Sequence, residues 1–229
     1  MGLPTSKHVI LFKPAGANGE KAVGRKYTPV SPINQKGTID FVIKCYPQCE
    51  EFPNGGVMGR YLETLNVGDK ILMEGPVGRL TYMGNCMIHP TGKTPLRITK
   101  LGLIAGGSGI TPLFSIMDAI YRARENCIDV KMLYSNKTLD DILLRSELDT
   151  INSDASAPNI SVTHTLTREQ RDLAAPLIKG RVSIEMLQQL GFPEPSPETL
   201  YILCGPRPFN QACKEMLISA GHAAGNVFG

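Results

Sequence analysis

The sequence predicts a two-domain chain of mixed class, β then α/β: a small antiparallel β-barrel followed by a doubly wound parallel sheet wrapped by helices. Three observations predict it. The chain has 229 residues, 42% of them apolar, which is long enough for one large domain or two small ones. Charge divides unevenly, with 13 Lys+Arg against 7 Asp+Glu in residues 1–100 and 11 against 14 in residues 101–229. The texture switches near residues 93–99, from short β-rich runs broken by Gly and Pro to alternating strand and helix patterns. The expected boundary is therefore 1–98 and 99–229.

Taken in order, residues 8–12 and 38–46 read as strands, the second rich in β-formers (Ile39, Phe41, Val42, Ile43, Tyr46). Between them, Gly16, Gly19, Gly24, Pro29 and Pro32 mark turns and short strands. Residues 57–65 form a short helix, Gly68-Asp69 turns into a strand over 70–74, and Gly75-Pro76-Val77-Gly78 reads as a tight turn. The second half opens on the apolar run Leu101-Gly102-Leu103-Ile104-Ala105, then Gly106-Gly107-Ser108-Gly109 and a helix from Pro112 with Leu113, Ile116, Met117 and Ile120 on one face. Strands follow over 129–134, 160–166 and 200–204, and helices over 142–151, 183–190 and 208–220. This alternation means a parallel sheet with crossover helices.

Ordinary apolar content and sparse cysteine exclude a disordered chain and a disulfide scaffold. A net charge of +3 does not indicate nucleic-acid binding, and none is expected. The longest uncharged run, from Leu101 to Met117, is interrupted by glycines and Pro112 and falls short of the roughly 20 apolar residues that span a bilayer. The first residues lack a signal-peptide pattern, and Met1-Gly2-Leu3-Pro4-Thr5-Ser6 matches the loose myristoylation motif. Cys45, Cys49, Cys86, Cys127, Cys204 and Cys213 show no Cys-x-x-Cys pair and no histidine at ligand spacing. They read as reduced, mostly structural thiols, and no metal site is expected.

Four segments carry the chemistry. Gly106 to Pro112 joins a strand to a helix, where glycines allow close backbone approach and the helix start offers unpaired N–H groups to a phosphate. Arg25-Lys26-Tyr27-Thr28-Pro29-Val30-Ser31 combines a guanidinium for pyrophosphate, an aromatic ring for stacking and hydroxyls for ring heteroatoms, although by itself it also reads as a surface turn. Phe52-Pro53-Asn54-Gly55-Gly56-Val57-Met58 is a flexible loop opening a short helix, suited to anions. Cys204-Gly205-Pro206-Arg207-Pro208-Phe209 follows a strand at the carboxyl edge of the sheet, where ligands bind in this architecture. No histidine close in sequence activates Cys204, so a nucleophilic role is not expected.

In this order, Arg-x-Tyr-Thr-Pro-x-Ser, Gly-Gly-x-Met, Gly-Gly-Ser-Gly-Ile-Thr-Pro and Cys-Gly-Pro-x-Pro resemble the flavin and pyridine-nucleotide domains of the NADH-cytochrome b5 reductase family, of ferredoxin-reductase type. The resemblance covers essentially the whole chain, including Val42-Ile43-Lys44, Phe52-Pro53, Gly75-Pro76, Asn136 and Asp141-Ile142-Leu143-Leu144-Arg145. It implies an FAD-binding barrel with Arg25 on the pyrophosphate, Tyr27 on the ring system and Thr28 near the reactive flavin nitrogen. Ser31 belongs to the same motif; Val42, Lys44 and Tyr46 flank the cofactor, and Gly56, Val57 and Met58 contact it through backbone. Thr111 reaches FAD from the second domain, Gly107 and Ser108 meet the NAD(P)H phosphates, and Cys204, Gly205 and Pro206 border the nicotinamide. Thr28, Lys44 and Cys204 are the catalytic candidates, in a mechanism where the protein supplies orientation. Hydride passes from NADH to the flavin and single electrons go on to cytochrome b5 or a similar acidic haem protein, which the basic front half suits. The resemblance also implies a monomer at the cytoplasmic face of the endoplasmic reticulum or the mitochondrial outer membrane, attached only through an N-terminal segment.

Four departures from the family pattern bear on this. Gly59 stands where the family has Ser, Arg207 replaces a Pro, and Thr167 occupies the place of an Asp that favours NADH, so NADPH becomes an expected alternative, helped by Arg168. Met1-Gly2-Leu3-Pro4 matches a point inside the family's barrel, so the first two strands and any anchor are expected to be absent. Two other readings stay open: the reductase portion of a nitrate reductase, and a non-enzymatic dinucleotide-binding protein with a degenerate flavin site.

Overall fold

A computed structural model describes residues 3–16, 21–50, 53–157, 159–174 and 176–229. The β-rich front folds as two three-stranded antiparallel sheets. In the first, β1 (His8–Lys13) lies between β2 (Val23–Tyr27) and β3 (Leu72–Val77), Leu11 facing Arg25 on one side and Met73 on the other. Helix α1 (Val57–Glu63) covers this sheet, with Met58 packed against Val9 and Leu11. The second sheet is a meander of β4 (Leu80–Gly84), β5 (Met87–Pro90) and β6 (Leu96–Arg97). Its inner residues Tyr82, Ile88 and the adjoining Ile98 join the core of the second half.

The apolar runs of the second half fold as a six-stranded sheet. It contains β7 (Lys100–Gly106), β8 (Asp129–Asn136), β9 (Ile160–Leu166), β10 (Leu177–Lys179), β11 (Thr199–Cys204) and β12 (Val227–Phe228), all paired in parallel in the order β10-β9-β8-β7-β11-β12. Leu101 and Leu103 face one layer and Ile104 the other, which is why the central strands are continuously apolar. Helices α2 (Ile110–Arg122) and α3 (Arg145–Ser153) cover the first face, and α4 (Ile184–Gln189) and α5 (Arg207–Ser219) the second. The chain order changes direction between β7 and β11, the switch point at which this architecture opens a ligand crevice. Among the described residues no helix is long and apolar enough to cross a membrane.

Four local expectations are corrected. Residues 38–46 form no strand: among the described residues, backbone bonds hold this segment only near its ends, Val30 N to Asp40 O (2.9 Å) and Gly56 N to Tyr46 O (2.8 Å). Its β-forming side chains are present, but a ladder needs a neighbouring backbone that composition cannot supply. Gly75, Pro76 and Val77 continue β3, and the reversal falls at Gly78-Arg79. The helix expected from residue 142 starts at Arg145, because Leu139–Asp141 forms a tight turn closed by a Thr138–Asp141 capping box and Leu144 takes a left-handed backbone (φ 56°). Finally, the cysteines are not all free. Cys86 and Cys127 form a disulfide, while Cys45, Cys49, Cys204 and Cys213 are thiols. The partners lie 41 residues apart, so spacing alone could not pair them. The myristoylation motif at Met1-Gly2, together with Gly19 and Phe52, lies outside the described residues.

Candidate active site

The carboxyl ends of β7 and β11 sit side by side, Ala105 opposite Cys204, and each leads through glycines into a helix. Gly109, which caps α2, touches the Cys204–Gly205 backbone so closely that an added Cβ would lie 2.1 Å from Cys204 O. Phe209 of α5 packs beneath both turns, and Cβ atoms on Gly106 and Gly205 would meet its ring at 3.1 and 2.6 Å. Tyr134 on β8 holds the first turn from the other side, donating to Gly107 O (3.0 Å) and accepting from Leu143 N (3.3 Å). Burial pushes the Tyr134 hydroxyl up to about 12, so it remains a donor at neutral pH.

A cleft of about 510 Å³ opens above these turns, and the antiparallel half forms its opposite wall. It brings together Thr28 and Tyr46 from the front half with Gly107, Ser108, Thr111, Cys204, Gly205 and Pro206 from the back. Thr28 is buried, while Tyr46 exposes its ring. Cys204 is largely enclosed, and burial pushes its thiol up to about 11, so it is a protonated thiol rather than a nucleophilic thiolate. His8, Lys26 and Arg79 also line the cleft, and the sequence reading missed all three. Lys26 carried a usable signal: it alternates with Arg25 and Tyr27 along β2, so it must face the opposite side of the strand. His8 Nε2 is buried without a hydrogen-bond partner, a polar atom left for something in the cleft. Arg79 donates to Gly229 O (2.8 Å) and ties the β3–β4 turn to the end of the chain.

The remaining candidates fall outside this cleft. Arg25 is exposed, donating to its neighbour Gly24 O (2.9 Å), and Tyr27 packs edge-on to Phe41 (6.5 Å between centroids) beside Met58. Val42 and Lys44 lie on the segment before Tyr46, and Gly56 reaches that segment through its bond to Tyr46 O; Val57 follows Gly56 and is exposed. These residues form a flank around β2 and the start of α1, next to the cleft. Ser31 lies apart, accepting from Asp40 N (3.0 Å) on the rim of a second cavity of about 330 Å³ that Asp118 and Arg122 also line. Thr167 stands beyond the end of β9, exposed, with its N–H and hydroxyl both donating to Asn136 O (3.0 and 3.3 Å).

Lys44 spans the two halves, its Nζ 2.5 Å from Asp141 Oδ1. Asp141 Oδ2 is occupied as well, accepting from Thr138 N (3.1 Å) and Oγ1 (3.0 Å). Burial opposes ionisation, but the bonds from Lys44 and Thr138 outweigh it and hold the carboxyl below its usual value. A depressed folded-state pKa means that this stabilisation is complete above the unfolded value near 4 and is lost as pH falls through the folded value. Asp141→Asn should therefore lower stability by about 1–2 kcal/mol at pH 7, between an exposed and a buried pair, with the deficit shrinking in acid. Urea unfolding of both proteins at pH 7 and pH 2 checks it; an equal deficit at both would contradict the ion-pair account.

Residues 1–82 match the Oxidoreductase FAD-binding domain model, and residues 103–215 match the Oxidoreductase NAD-binding domain model. NADH-cytochrome b5 reductase 1 of Homo sapiens is 37% identical over 232 residues, covering 97% of this chain and 73% of that protein. The chain belongs to the NADH-cytochrome b5 reductase family. It is an FAD- and NAD-binding oxidoreductase with the two-domain, ferredoxin-reductase-like fold. The cytochrome b5 reductase domain of Ulva prolifera nitrate reductase superposes with a TM-score of 0.90 at 30% identity, covering 99% of this chain and 85% of that one. Nitrate reductase [NADH] of Volvox carteri is 34% identical over 226 residues, and the chain spans 26% of its length.

The reductase's two turns suit the groups these domains bind. A Cβ at Gly107 would meet nothing within 4 Å, so that backbone faces open cleft, and α2 begins with no side-chain cap on its N–H groups. Ile110 N–H is taken by Gly107 O, and the open glycine turn ahead of it, at the positive end of α2, fits a pyrophosphate.

Proposed function

We propose that this reductase oxidises NADH, with NADPH as an alternative, and delivers single electrons to cytochrome b5 or a similar acidic haem protein. One observation carries the reading: a single cleft joins Thr28 and Tyr46 of the front half to Gly107, Ser108 and the Cys204–Pro206 turn of the back half. FAD, when bound, supplies the conversion between two-electron and one-electron transfer. In this reading residues 1–98 hold FAD and residues 99–229 hold the pyridine nucleotide.

The residues divide the work by chemistry. Arg25, with Gly56, Val57 and Met58, takes the flavin pyrophosphate on the exposed flank, while Ser31, set apart from it, holds the Asp40 backbone. Tyr27, Val42, Lys44 and Tyr46 bound the flavin ring, and Thr28 offers its hydroxyl to the reactive ring edge. Thr111 contacts FAD from the helix side. Gly107 and Ser108 receive the pyridine-nucleotide phosphates, and Cys204, Gly205 and Pro206 border the nicotinamide, where the protonated thiol packs rather than attacks. Thr167 lies where a ribose hydroxyl or a 2′-phosphate is discriminated. Without a carboxylate there, and with Lys137 and Arg168 exposed beside it, a 2′-phosphate is tolerated. Nitrate reductase [NADPH] of Emericella nidulans, 33% identical over 229 residues, gives that tolerance a precedent among relatives.

The front half's excess of basic residues suits an acidic docking partner. The same family reading implies a monomer working at the cytoplasmic face of the endoplasmic reticulum or the mitochondrial outer membrane. The TM-score of 0.90 to a nitrate-reductase domain favours a second reading, in which the same chemistry serves as one module of a nitrate reductase.

The test is direct. Purified protein, reconstituted with FAD, should be yellow and should bleach on anaerobic addition of NADH. Protein that stays colourless after reconstitution would rule out the reductase reading for this chain and leave a non-enzymatic dinucleotide-binding protein.

A further inference from the structure

We propose that the Cys86–Cys127 disulfide is a thiol–disulfide exchange site, a latch that ties the β4–β5 hairpin to the parallel half and so sets the geometry of the cleft. The hairpin turn is the first observation. Gly84 pairs with Met87, leaving Asn85 and Cys86 as a two-residue loop, and both have positive φ (51° and 61°). Such a turn strongly prefers Gly at its second position, and any other residue there is conformationally costly. A cysteine with a fully buried side chain occupies it instead and bonds to Cys127.

The second observation is the route to the site. Cys127 lies exposed on the loop between α2 and β8, while Cys86 is sealed inside, so an attacking thiolate enters at Cys127. The chain also keeps four cysteines as thiols, Cys45 and Cys49 among them on the surface. In thiol-rich surroundings a disulfide with one exposed sulfur is exchangeable rather than permanent. The reductant is a low-molecular-weight thiol or a protein dithiol. One thiolate attacks Cys127 Sγ, and Cys86 leaves and takes up a proton. A second thiolate then attacks the mixed disulfide and frees Cys127, which is protonated in turn. Two thiols become one disulfide as Cys86 and Cys127 gain the two electrons.

The third observation connects the latch to the cleft. Strand β4 runs from the Gly78–Leu80 turn in the cleft wall to the Cys86 loop, so the latch acts at the far end of the same strand. Glu125, two residues before Cys127, holds that hairpin too, accepting from Tyr82 Oη (2.5 Å) and Cys86 N (3.2 Å). Reduction therefore loosens the hairpin without releasing it, and the wall carrying Arg79 and Leu80 gains freedom.

The cleft part of the proposal rests on the pyridine-nucleotide reading, so the test has readouts that do not. Alkylation of denatured, unreduced protein with iodoacetamide should add four labels, and six after reduction. Reduction should lower the Tm by roughly 5–10 °C, as expected for opening a loop of this length. The KM for NADH with ferricyanide as acceptor should rise severalfold. Cys127→Ser should sit at the reduced values and ignore reductant. Cys86→Gly, which also suits the left-handed turn, should ignore reductant and recover part of the lost Tm. Six labels before reduction, or an unchanged Tm on reduction, would overturn the latch. An unchanged KM would overturn its control of the cleft. Protein that oxidises no NADH in either state counts against the proposed function, and labelling and melting then decide the latch by themselves.

Discussion

Gly109→Ala is expected to cost roughly 3–5 kcal/mol of stability, enough to lower the Tm by 10 °C or more and to abolish pyridine-nucleotide binding. The added Cβ would lie 2.1 Å from Cys204 O, 2.4 Å from Cys204 C and 2.7 Å from Gly205 N. These are backbone atoms at the end of a central strand, so no side chain can swing aside. Either α2 withdraws or the end of β11 shifts, and each opens the junction on which both glycine turns stand. Gly107→Ala is the control. Its Cβ would meet nothing within 4 Å, and only the left-handed backbone (φ 54°) resists it, at about 1–2 kcal/mol. Thermal melts of the two variants should differ several-fold in their shift from wild type. Equal shifts would show that the close approach of the two turns is not what glycine at 109 serves.

Thr167→Asp is expected to reduce the NADPH/NADH ratio of kcat/KM by 10- to 100-fold, about 1.4–2.8 kcal/mol of discrimination. Thr167 is exposed at the end of β9, and its backbone N–H is already used by Asn136 O, so the new side chain would project from a fixed point. A carboxylate there accepts from ribose hydroxyls and repels a 2′-phosphate, whereas Lys137 and Arg168 do the reverse. The fold should tolerate the change, since among the described residues the Thr167 side chain makes one weak bond, at 3.3 Å. An unmoved ratio, with KM for both coenzymes unchanged, would place coenzyme selection elsewhere on the sheet edge.

Much of the parallel half was legible because its strands are buried on both faces. Residues 101–105, 129–134, 160–166 and 200–204 are dense in apolar side chains and bounded by turn signals, and each lies in an observed strand. The short β10 and β12 escaped notice, since two or three residues on a sheet edge carry no period. In the front half, the composition of residues 38–46 satisfies every rule for a strand, yet whether a strand forms depends on a neighbouring backbone. The start of α3 was misplaced by three residues because apolar Ile142 and Leu143 mimic a helical face, while the Thr138–Asp141 capping box turns the chain just before them.

The site shows the same division. Glycines at 106, 107 and 109 and the Cys204-Gly205-Pro206 turn could be read directly, because a tight strand-to-helix connection demands specific residue types at adjacent positions. The sequence by itself thus determined the fold class, its FAD- and NAD-binding halves and the family, all written in local runs of residues. The charge division from a basic front half to a mildly acidic back half belongs to the same class of local information. Only the tertiary structure decided that eight of the candidates share one cleft while Arg25, Ser31 and Thr167 stand outside it. It alone joined Lys44 to Asp141 across 97 positions and Cys86 to Cys127 across 41. The physical reason is that a contact between distant residues depends on where every intervening element packs, and no local pattern of side chains encodes that distance.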